Sequence, residues 1–185
     1  MDKARAICRL VEEKAGRYSA VSDAVWDTPE LGFRVERSAA TIIRALEEEG
    51  FAVEKNLAGI PTAFKGVWGE SGPVIAFLGE YDALPNLSQA AGLAHREELV
   101  PGGDGHGCGH NALGAGALAA AVALRDYIRE KRLPGRMVFF GCPGEEFGCA
   151  RPSWPGPAAS TTWPALFPGT RNAIPGSGTM APWPT

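Results

Sequence analysis

Residues 103–111, with the sequence GDGHGCGHN, place one thiol and two imidazoles among single glycines. Cys108 and His110 are two positions apart, a spacing at which an extended or turning backbone can direct both side chains at one ion. The intervening glycines allow the chain to bend tightly there. An ordinary loop cysteine beside a solvated histidine would give the same C-x-H pair, but the second histidine, His106, favours a metal site.

Two pairs of carboxylates follow apolar segments elsewhere in the chain. Glu80 and Asp82 come after VIAFLG, and Glu145 and Glu146 come after RMVFFGCPG. Open α/β sheets bind their ligands at the ends of such strands. Thiolate, imidazole and carboxylate groups together suit a zinc-like ion, whereas manganese would depend more on the oxygen and nitrogen ligands. The alternatives are a solvated pair of glutamates and an aspartate that caps a turn before a proline.

The helices that would position these groups follow from the spacing of apolar residues. Apolar side chains recur at helical intervals from Ala4 to Val25, which predicts one amphipathic helix that ends before DTPELG. A second helix is predicted over residues 37–49, with Gly50 as its C-terminal stop. Residues 111–131 are predicted to form a buried helix, with Leu113 among its inward-facing residues. Cys8 has helical spacing from its apolar neighbours and is predicted to be in the core.

Four apolar segments have the character of strands, namely FAVEK, TAFKGVWG, PVIAFLGEYDALP and RMVFFGC. The turn GESGP predicts that the second and third segments pair with each other. The continuous apolar run VIAFLG predicts a central strand that is covered on both sides. Residues 84–110 have no regular period and are predicted to be a long functional loop. Strand, loop, helix and strand in this order form a βαβ unit, so we predict an α/β fold.

Length and composition narrow the class of protein. A chain of 185 residues favours one domain. A net charge of −3 gives no basic surface for nucleic acid or an anionic membrane, so the expected partner is a small molecule or a protein. The N-terminal residues mix charged and apolar side chains, unlike a signal peptide, and we expect a cytoplasmic protein. The four cysteines are then expected to be free thiols or ligands.

Several motifs together resemble those of one enzyme family. GIPTAF, FLGEYDALPNLSQAAG, PGGDGHGCGHNALG and VFFGCPGEE are similar, in order and approximate spacing, to motifs of the dimetal amidohydrolases of the aminoacylase and carboxypeptidase type. AVWDTPELGF near the start also fits. The resemblance is strongest to the branch that cleaves p-aminobenzoyl-glutamate. It implies a zinc-peptidase-like catalytic domain, with a central mixed sheet flanked by helices, that hydrolyses the amide bond of N-acyl or p-aminobenzoyl amino acids.

The resemblance also implies roles for individual residues. Cys108 and His110 match the Cys-x-His metal ligands of the family, and Glu146 matches its carboxylate ligand. Glu145 matches the general base that activates the attacking water and returns the proton to the leaving amine. Asp82 matches an aspartate that orients a ligand.

Two further positions are less defined by the resemblance. Glu80 stands where other branches have a metal-binding histidine, and the role of His106 is left open. The implied cofactors are two divalent metals, zinc or manganese, in each complete site. The implied partner is a small N-acyl amino acid or a dipeptide-like substrate, and full-length members of the family are expected to form homo- or hetero-oligomers.

The sequence departs from the family after Glu146. Family members are much longer, with a lid or dimerisation domain and a second part of the catalytic domain that supplies further histidines, whereas this chain has no histidine after His110. We therefore expect residues 1–149 to be a partial catalytic domain without the lid. Residues 150–185 are expected to be an aberrant, disordered tail, because residues 151–185 hold eight of the fifteen prolines and no acidic residue.

The tail itself suggests how the departure arose. Codons for TTWPALFPGTRN, read one nucleotide earlier, can encode Asp-Asp-Leu-Ala-Gly-Ala-Leu-Ser-Trp-His-Pro-Glu, which restores a pattern of the family. The hypothesis is a single-nucleotide frameshift near codons 150–153. The alternative to an amidohydrolase is then a catalytically inactive truncated product with at most a partial metal site. A structural-zinc module is disfavoured, because the chain has no second C-x-x-C or C-x-H pair.

Overall fold

The computed structural model describes residues 2–147, so the tail and the codons of the hypothesised frameshift lie outside the described residues. This range contains four α-helices and four strands. The helices are α1 (Lys3–Glu12), α2 (Ala15–Trp26), α3 (Glu36–Glu48) and α4 (His110–Glu130). The strands are β1 (Ala52–Lys55), β2 (Phe64–Trp68), β3 (Val74–Glu80) and β4 (Arg136–Cys142). Glu145–Phe147 forms a short 3-10 turn after β4.

The strands form a mixed sheet in the order β1-β2-β4-β3. Strand β2 is antiparallel to both β1 and β4, and β3 is parallel to β4, with Glu80 opposite Cys142. Helix α4 connects the two parallel strands and packs on both. The predicted α/β fold and its βαβ unit are therefore confirmed.

The predicted pairing of β2 with β3 is wrong, because β4 lies between them. The turn between β2 and β3 packs against the start of β4. A Cβ at Gly69 would lie 2.3 Å from the carbonyl oxygen of Gly135, and one at Gly72 would lie 2.7 Å from the carbonyl carbon of Pro134. The turn therefore packs against the residues at the start of β4 and does not join β2 and β3 into a hairpin. Within residues 2–147, β3 is consequently an edge strand and not the central strand that its apolar run predicted.

The predicted N-terminal helix is two helices that separate at Lys14. The backbone of Lys14 leaves the helical conformation at φ −115° and ψ 10°. Its ammonium group lies 2.7 Å from a Glu49 carboxylate oxygen and 3.0 Å from one of Asp126, so the side chain is directed inward between α3 and α4. Ala6 and Leu10 are the buried residues of α1, whereas Cys8 is exposed. The prediction that Cys8 is in the core is therefore wrong.

The main core lies where α3 and α4 pack against the sheet. Helix α3 contacts β1 and β2, and it buries Ile42, Ile43 and Leu46 as the sequence predicts. In α4, the predicted inward position of Leu113 is wrong, since this residue is 45% exposed. The buried face of α4 instead passes through Gly114 and Leu118, because the helix begins at His110 and its first turn packs on the end of β3.

The long segment between β3 and α4 contains no helix or strand, which confirms the predicted loop, although His110 belongs to α4. One isolated bridge between Leu84 and Gly105 brings the end of the loop back to its beginning. The loop therefore returns the residues before α4 to the carboxyl end of β3. No helix within residues 2–147 has the length and apolar character to cross a membrane.

Candidate metal centre

Three predicted ligands meet although they come from separate parts of the chain. Cys108 lies on the loop before α4, His110 is the first residue of α4, and Glu146 lies in the turn after β4. One potential ligand atom from each of the three side chains lies within 4.8 Å of the other two. His110 is buried, Glu146 is partly buried and Cys108 is exposed. The set thus offers sulfur, nitrogen and oxygen atoms at one small site that is open on the cysteine side.

A second group of possible ligands shares the same imidazole. One atom each from Glu80, His110 and Glu145 also lies within 4.8 Å of the others. The Nε2 atom of His110 is 3.5 Å from Glu80 Oε2 and 3.9 Å from Glu145 Oε2. The same nitrogen is 3.8 Å from Glu146 Oε1. The carboxyl ends of β3 and β4 therefore place three carboxylates around the Nε2 edge of the imidazole.

Asp82 lies behind this imidazole, on the side away from the three glutamates. Its Oδ1 atom is 3.1 Å from His110 Nδ1, and its Oδ2 atom accepts a hydrogen bond of 3.0 Å from the backbone N–H of Glu146. Asp82 is only 1% exposed. A carboxylate that accepts the Nδ1 proton leaves Nε2 available for a metal, an arrangement common at histidine ligands.

The electrostatics of the cluster favour a bound cation. The hydrogen bond to Asp82 raises the pKa of His110, despite the opposing effect of burial. The pKa of the Cys108 thiol is also raised, by a hydrogen bond to Glu146, by burial and by the negative charges of neighbouring glutamates. Negative charge thus accumulates on one side of the imidazole. A cation would offset it and would favour the thiolate form of Cys108.

One atom of the cluster is buried without a hydrogen bond. Within the described range, Glu146 Oε1 has no hydrogen-bond partner, although an oxygen shielded from water ordinarily has one. A metal ion would satisfy this oxygen. Together with the mixture of thiol, imidazole and carboxylate, this observation shows that the residues present fit a divalent cation.

His106 lies outside both groups of possible ligands. Its ring is 5% exposed and stacks on Trp26, with 6.3 Å between the ring centroids. Its Nε2 atom is 3.0 Å from the carbonyl oxygen of Val25, an acceptor, so this nitrogen carries the proton. Burial lowers the pKa of His106, which favours the neutral ring. His106 therefore contacts α2 and is not among the clustered ligand atoms.

The sequence does not indicate the contacts that α2 makes with His106 and Asn111. Asn111 follows His110 and donates a 3.0 Å hydrogen bond from Nδ2 to Ser22 Oγ. Ser22 and Val25 are ordinary helix residues, and neither their types nor their spacing distinguishes them. Only the packed structure shows that α2 touches the residues on both sides of Cys108 and His110.

A solved structure with a similar fold is that of the Bacillus subtilis YXEP protein, described as a dinuclear metal-binding peptidase from the M20 family. The TM-score is 0.57 at 27% sequence identity, and the match covers 74% of this chain and 38% of that one. The fold and the clustered ligands thus define the class, that of the M20-type metallopeptidases.

The relatives agree with this class. The model of peptidase family M20/M25/M40 matches residues 76–162. A subunit of the p-aminobenzoyl-glutamate hydrolase of Escherichia coli is 46% identical over 147 residues, which cover 80% of this chain and 31% of the relative. The Xaa-Arg dipeptidase of Mus musculus is 35% identical over 157 residues, which cover 78% of this chain and 32% of the relative.

The chain belongs to the peptidase family M20/M25/M40. It spans about a third of the length of the curated relatives that it matches. The resemblance inferred from the motifs is therefore confirmed at the level of the family.

Proposed function

We propose that this chain supplies metal ligands and the proton-transferring carboxylate of an amidohydrolase site for N-acyl or p-aminobenzoyl amino acids, with p-aminobenzoyl-glutamate as the first substrate to test. The observation that carries the proposal is the convergence of Cys108, His110 and Glu146 within 4.8 Å. The hydrolase activity for which the Escherichia coli relative is named supports the substrate. The YXEP protein, described as dinuclear, supports two metals in each complete site.

Cys108, His110 and Glu146 would hold one divalent cation, either zinc or manganese. When bound, the cation would lower the pKa of water and polarise the carbonyl of the scissile amide. Glu146 acts as a ligand and stays ionised. Asp82 fixes the orientation of the His110 ring, because it binds the ring nitrogen that faces away from the glutamates. The substrate is a small molecule, and assembly with further copies or subunits belongs to the same proposal.

Glu145 is the group free to move a proton. Its side chain is 38% exposed, whereas that of the neighbouring Glu146 is 15% exposed. Glu145 accepts a proton from the attacking water and delivers it to the nitrogen of the leaving amine. Two adjacent glutamates thus have separate tasks, because one faces the buried ligands and the other faces the side open to substrate.

A second candidate function is metal binding without hydrolysis. The chain contains three histidines, at positions 95, 106 and 110, and only His110 lies among the clustered ligand atoms. A single imidazole leaves few nitrogen donors for two cations. This candidate predicts weak binding of one cation and no turnover by the 185-residue chain. The division of the chain at residue 149 and the frameshift stay predictions, and resequencing codons 145–190 tests both.

Hydrolysis of p-aminobenzoyl-glutamate with added zinc or manganese separates the two candidates. Both candidates predict no detectable turnover by the 185-residue chain, so the comparison is made in a longer chain. We expect turnover by a chimaera in which residues 1–147 replace the matching segment of the Escherichia coli relative. In that chimaera, Glu145→Gln should lower kcat by about 10²- to 10⁴-fold, since it removes the proton acceptor. Glu97→Gln, on an exposed loop, is the matched control. Full activity of the Glu145→Gln chimaera would contradict the role of Glu145.

Metal analysis of the purified 185-residue chain tests the ligands directly. We expect bound zinc that is lost in Cys108→Ser and in His110→Ala. Cys8→Ser is the matched control for the thiol, because Cys8 is an exposed cysteine of α1. Equal zinc content in the wild type and in Cys108→Ser would exclude Cys108 as a ligand.

A further inference from the structure

The loop that carries the proposed ligands is attached to α2 at two points. His106, two residues before Cys108, binds the carbonyl oxygen of Val25 through Nε2 and stacks on Trp26. Asn111, directly after His110, donates to Ser22 Oγ. We call the last turns of α2 that make these contacts, residues 22–26, the α2 support. We call residues 106–111, which include the first two residues of α4, the ligand loop. This segment is held two residues before its first ligand and directly after its second.

Loss of either of these two hydrogen bonds is expected to destabilise the folded chain. His106 and Asn111 are 5% and 9% exposed, so a donor left without its acceptor would have little access to water. Each contact also joins residues that are distant in sequence, with 81 positions between Val25 and His106 and 89 between Ser22 and Asn111. The α2 support thus fixes the loop relative to a separate element of the fold.

The loop needs such support because its own backbone is permissive. Glycines flank Cys108 on both sides, and Gly109 has φ +80°. The Cys108 side chain is exposed. Without the attachment of His106, the chain between His106 and the start of α4 would sample more conformations. Ordering it on metal binding would then cost conformational entropy.

We propose that His106 and Asn111 are positioning residues, which clamp the ligand loop to the α2 support so that its thiolate and imidazole stay at the spacing one cation requires. This inference rests on the proposed metal site and assigns neither residue to the metal. His106 acts through Cys108, and Asn111 acts through His110. Groups that orient metal ligands typically contribute about 10- to 100-fold to metal affinity.

Cobalt(II) titration of the 185-residue chain is the test, since a cobalt–thiolate bond gives a near-ultraviolet charge-transfer absorption. We expect His106→Phe to bind cobalt about 10- to 100-fold more weakly than the wild type, with a weaker charge-transfer band. Phenylalanine keeps a ring against Trp26 but has no N–H for Val25. His106→Gln, whose amide can donate from a similar position, should recover part of the affinity and of the band.

A second pair of variants, both on α2, tests whether the α2 support affects cobalt binding. Ser22→Ala removes the Oγ acceptor of Asn111 and leaves only the longer contact, 3.5 Å, to the Ser22 carbonyl oxygen. We expect it to weaken cobalt binding by about 3-fold or more. Ser19→Ala lies one turn earlier on an exposed position of the same helix and is the matched control. Thermal unfolding of each metal-free variant shows whether the fold is intact. If His106→Phe does not fold, Ser22→Ala tests whether the α2 support affects cobalt binding.

The outcomes separate the inference from the proposed metal site. Absence of a charge-transfer band in the wild type, or its persistence in Cys108→Ser, would overturn the metal site. A band that depends on Cys108 but is unchanged, with unchanged affinity, in His106→Phe and Ser22→Ala would leave the metal site standing and overturn the positioning role. Weaker binding in both variants, with partial recovery in His106→Gln, supports the role.

Discussion

Asp82 connects two of the three proposed ligands. One of its oxygens binds the ring of His110, and the other accepts the backbone N–H of Glu146. The two ligands approach from different elements, α4 and the turn after β4. A single buried carboxylate therefore sets the relative position of an imidazole and a glutamate that are 36 residues apart in the sequence.

We predict that Asp82→Asn lowers metal affinity by about 10- to 100-fold. Asparagine has nearly the same shape, but it lacks the charge that stabilises the Nδ1 proton of His110 and can present an N–H where Glu146 needs an acceptor. Zinc titration followed by calorimetry measures the effect. Glu97→Gln, a neutralised carboxylate on the exposed loop, should bind zinc as the wild type does, and equal affinity in Asp82→Asn would contradict the connection.

For individual residues, the sequence identifies the side chains that could bind a metal, but not the residues that hold those side chains in position. Cys108 and His110 stand out because the chain has only four cysteines and three histidines. The glutamate pair stands out because it follows an apolar segment. Asn111 and Ser22 do not stand out, since a hydrogen bond across 89 positions leaves no local pattern. Likewise, nothing in the pattern of His106 indicates that its ring stacks on Trp26 outside the ligand cluster.

The contact between α4 and β3 is the element-scale feature on which the site depends. Gly114 lies one turn after His110, and a Cβ there would be 2.6 Å from the carbonyl oxygen of Glu80. The absence of a side chain thus lets the first turn of α4 approach the end of β3 closely. This approach brings the His110 imidazole to the carboxylate of Glu80.

We predict that Gly114→Ala destabilises the fold by about 1–3 kcal/mol, because the methyl group meets backbone that cannot rotate away. Gly116→Ala is the matched control in the same helix. A Cβ at Gly116 meets nothing within 4 Å, so this variant should be more stable by about 0.5–1 kcal/mol. Urea unfolding measures both, and equal shifts in the two variants would contradict the close contact.

Helices and strands follow the hydrophobic pattern more closely than their pairing does. The predicted segments of α3, α4 and β4 agree with the structure to within one or two residues because each has a clear apolar period or run. The break at Lys14 is not visible in the pattern, since the inward salt bridges that accompany it are contacts with α3 and α4. The position of β4 between β2 and β3 is also a tertiary property, set by the packed turn at Gly69.

A charge network at the ends of α1 and α3 joins these helices to α4 in the described part of the molecule. The Glu49 carboxylate at the end of α3 is 2.7 Å from both Lys14 Nζ and Arg125 Nη2, and Arg125 is also 2.7 Å from Asp126. Burial raises the pKa of Glu49, but hydrogen bonds from Lys14 and Arg125 outweigh this effect and lower it. The network therefore stabilises the folded chain while Glu49 is ionised.

We predict that Glu49→Gln destabilises the fold by about 3 kcal/mol at neutral pH, because it leaves Lys14 and the buried Arg125 with Asp126 as their one remaining carboxylate in the network. A carboxylate with a lowered pKa contributes stability above its ordinary pKa of 4.5, and this contribution disappears as pH falls through the folded-state value. The difference between wild type and Glu49→Gln should accordingly shrink on acidification. Urea unfolding at neutral pH and at pH values below the ordinary pKa of Glu49 tests the network. Glu54→Gln, which replaces an exposed carboxylate, is the control.

The position of β4 has a consequence for how the chain acquires its structure. Strands β1 and β2 can pair early, but β3 meets no neighbour in the four-stranded sheet until β4 arrives, some 56 residues after β3 ends. The sheet therefore joins its two parts only when the last described strand enters between them. Because Glu145 and Glu146 follow that strand directly, we expect sheet closure and assembly of the proposed metal site to occur together, after the earlier steps of folding.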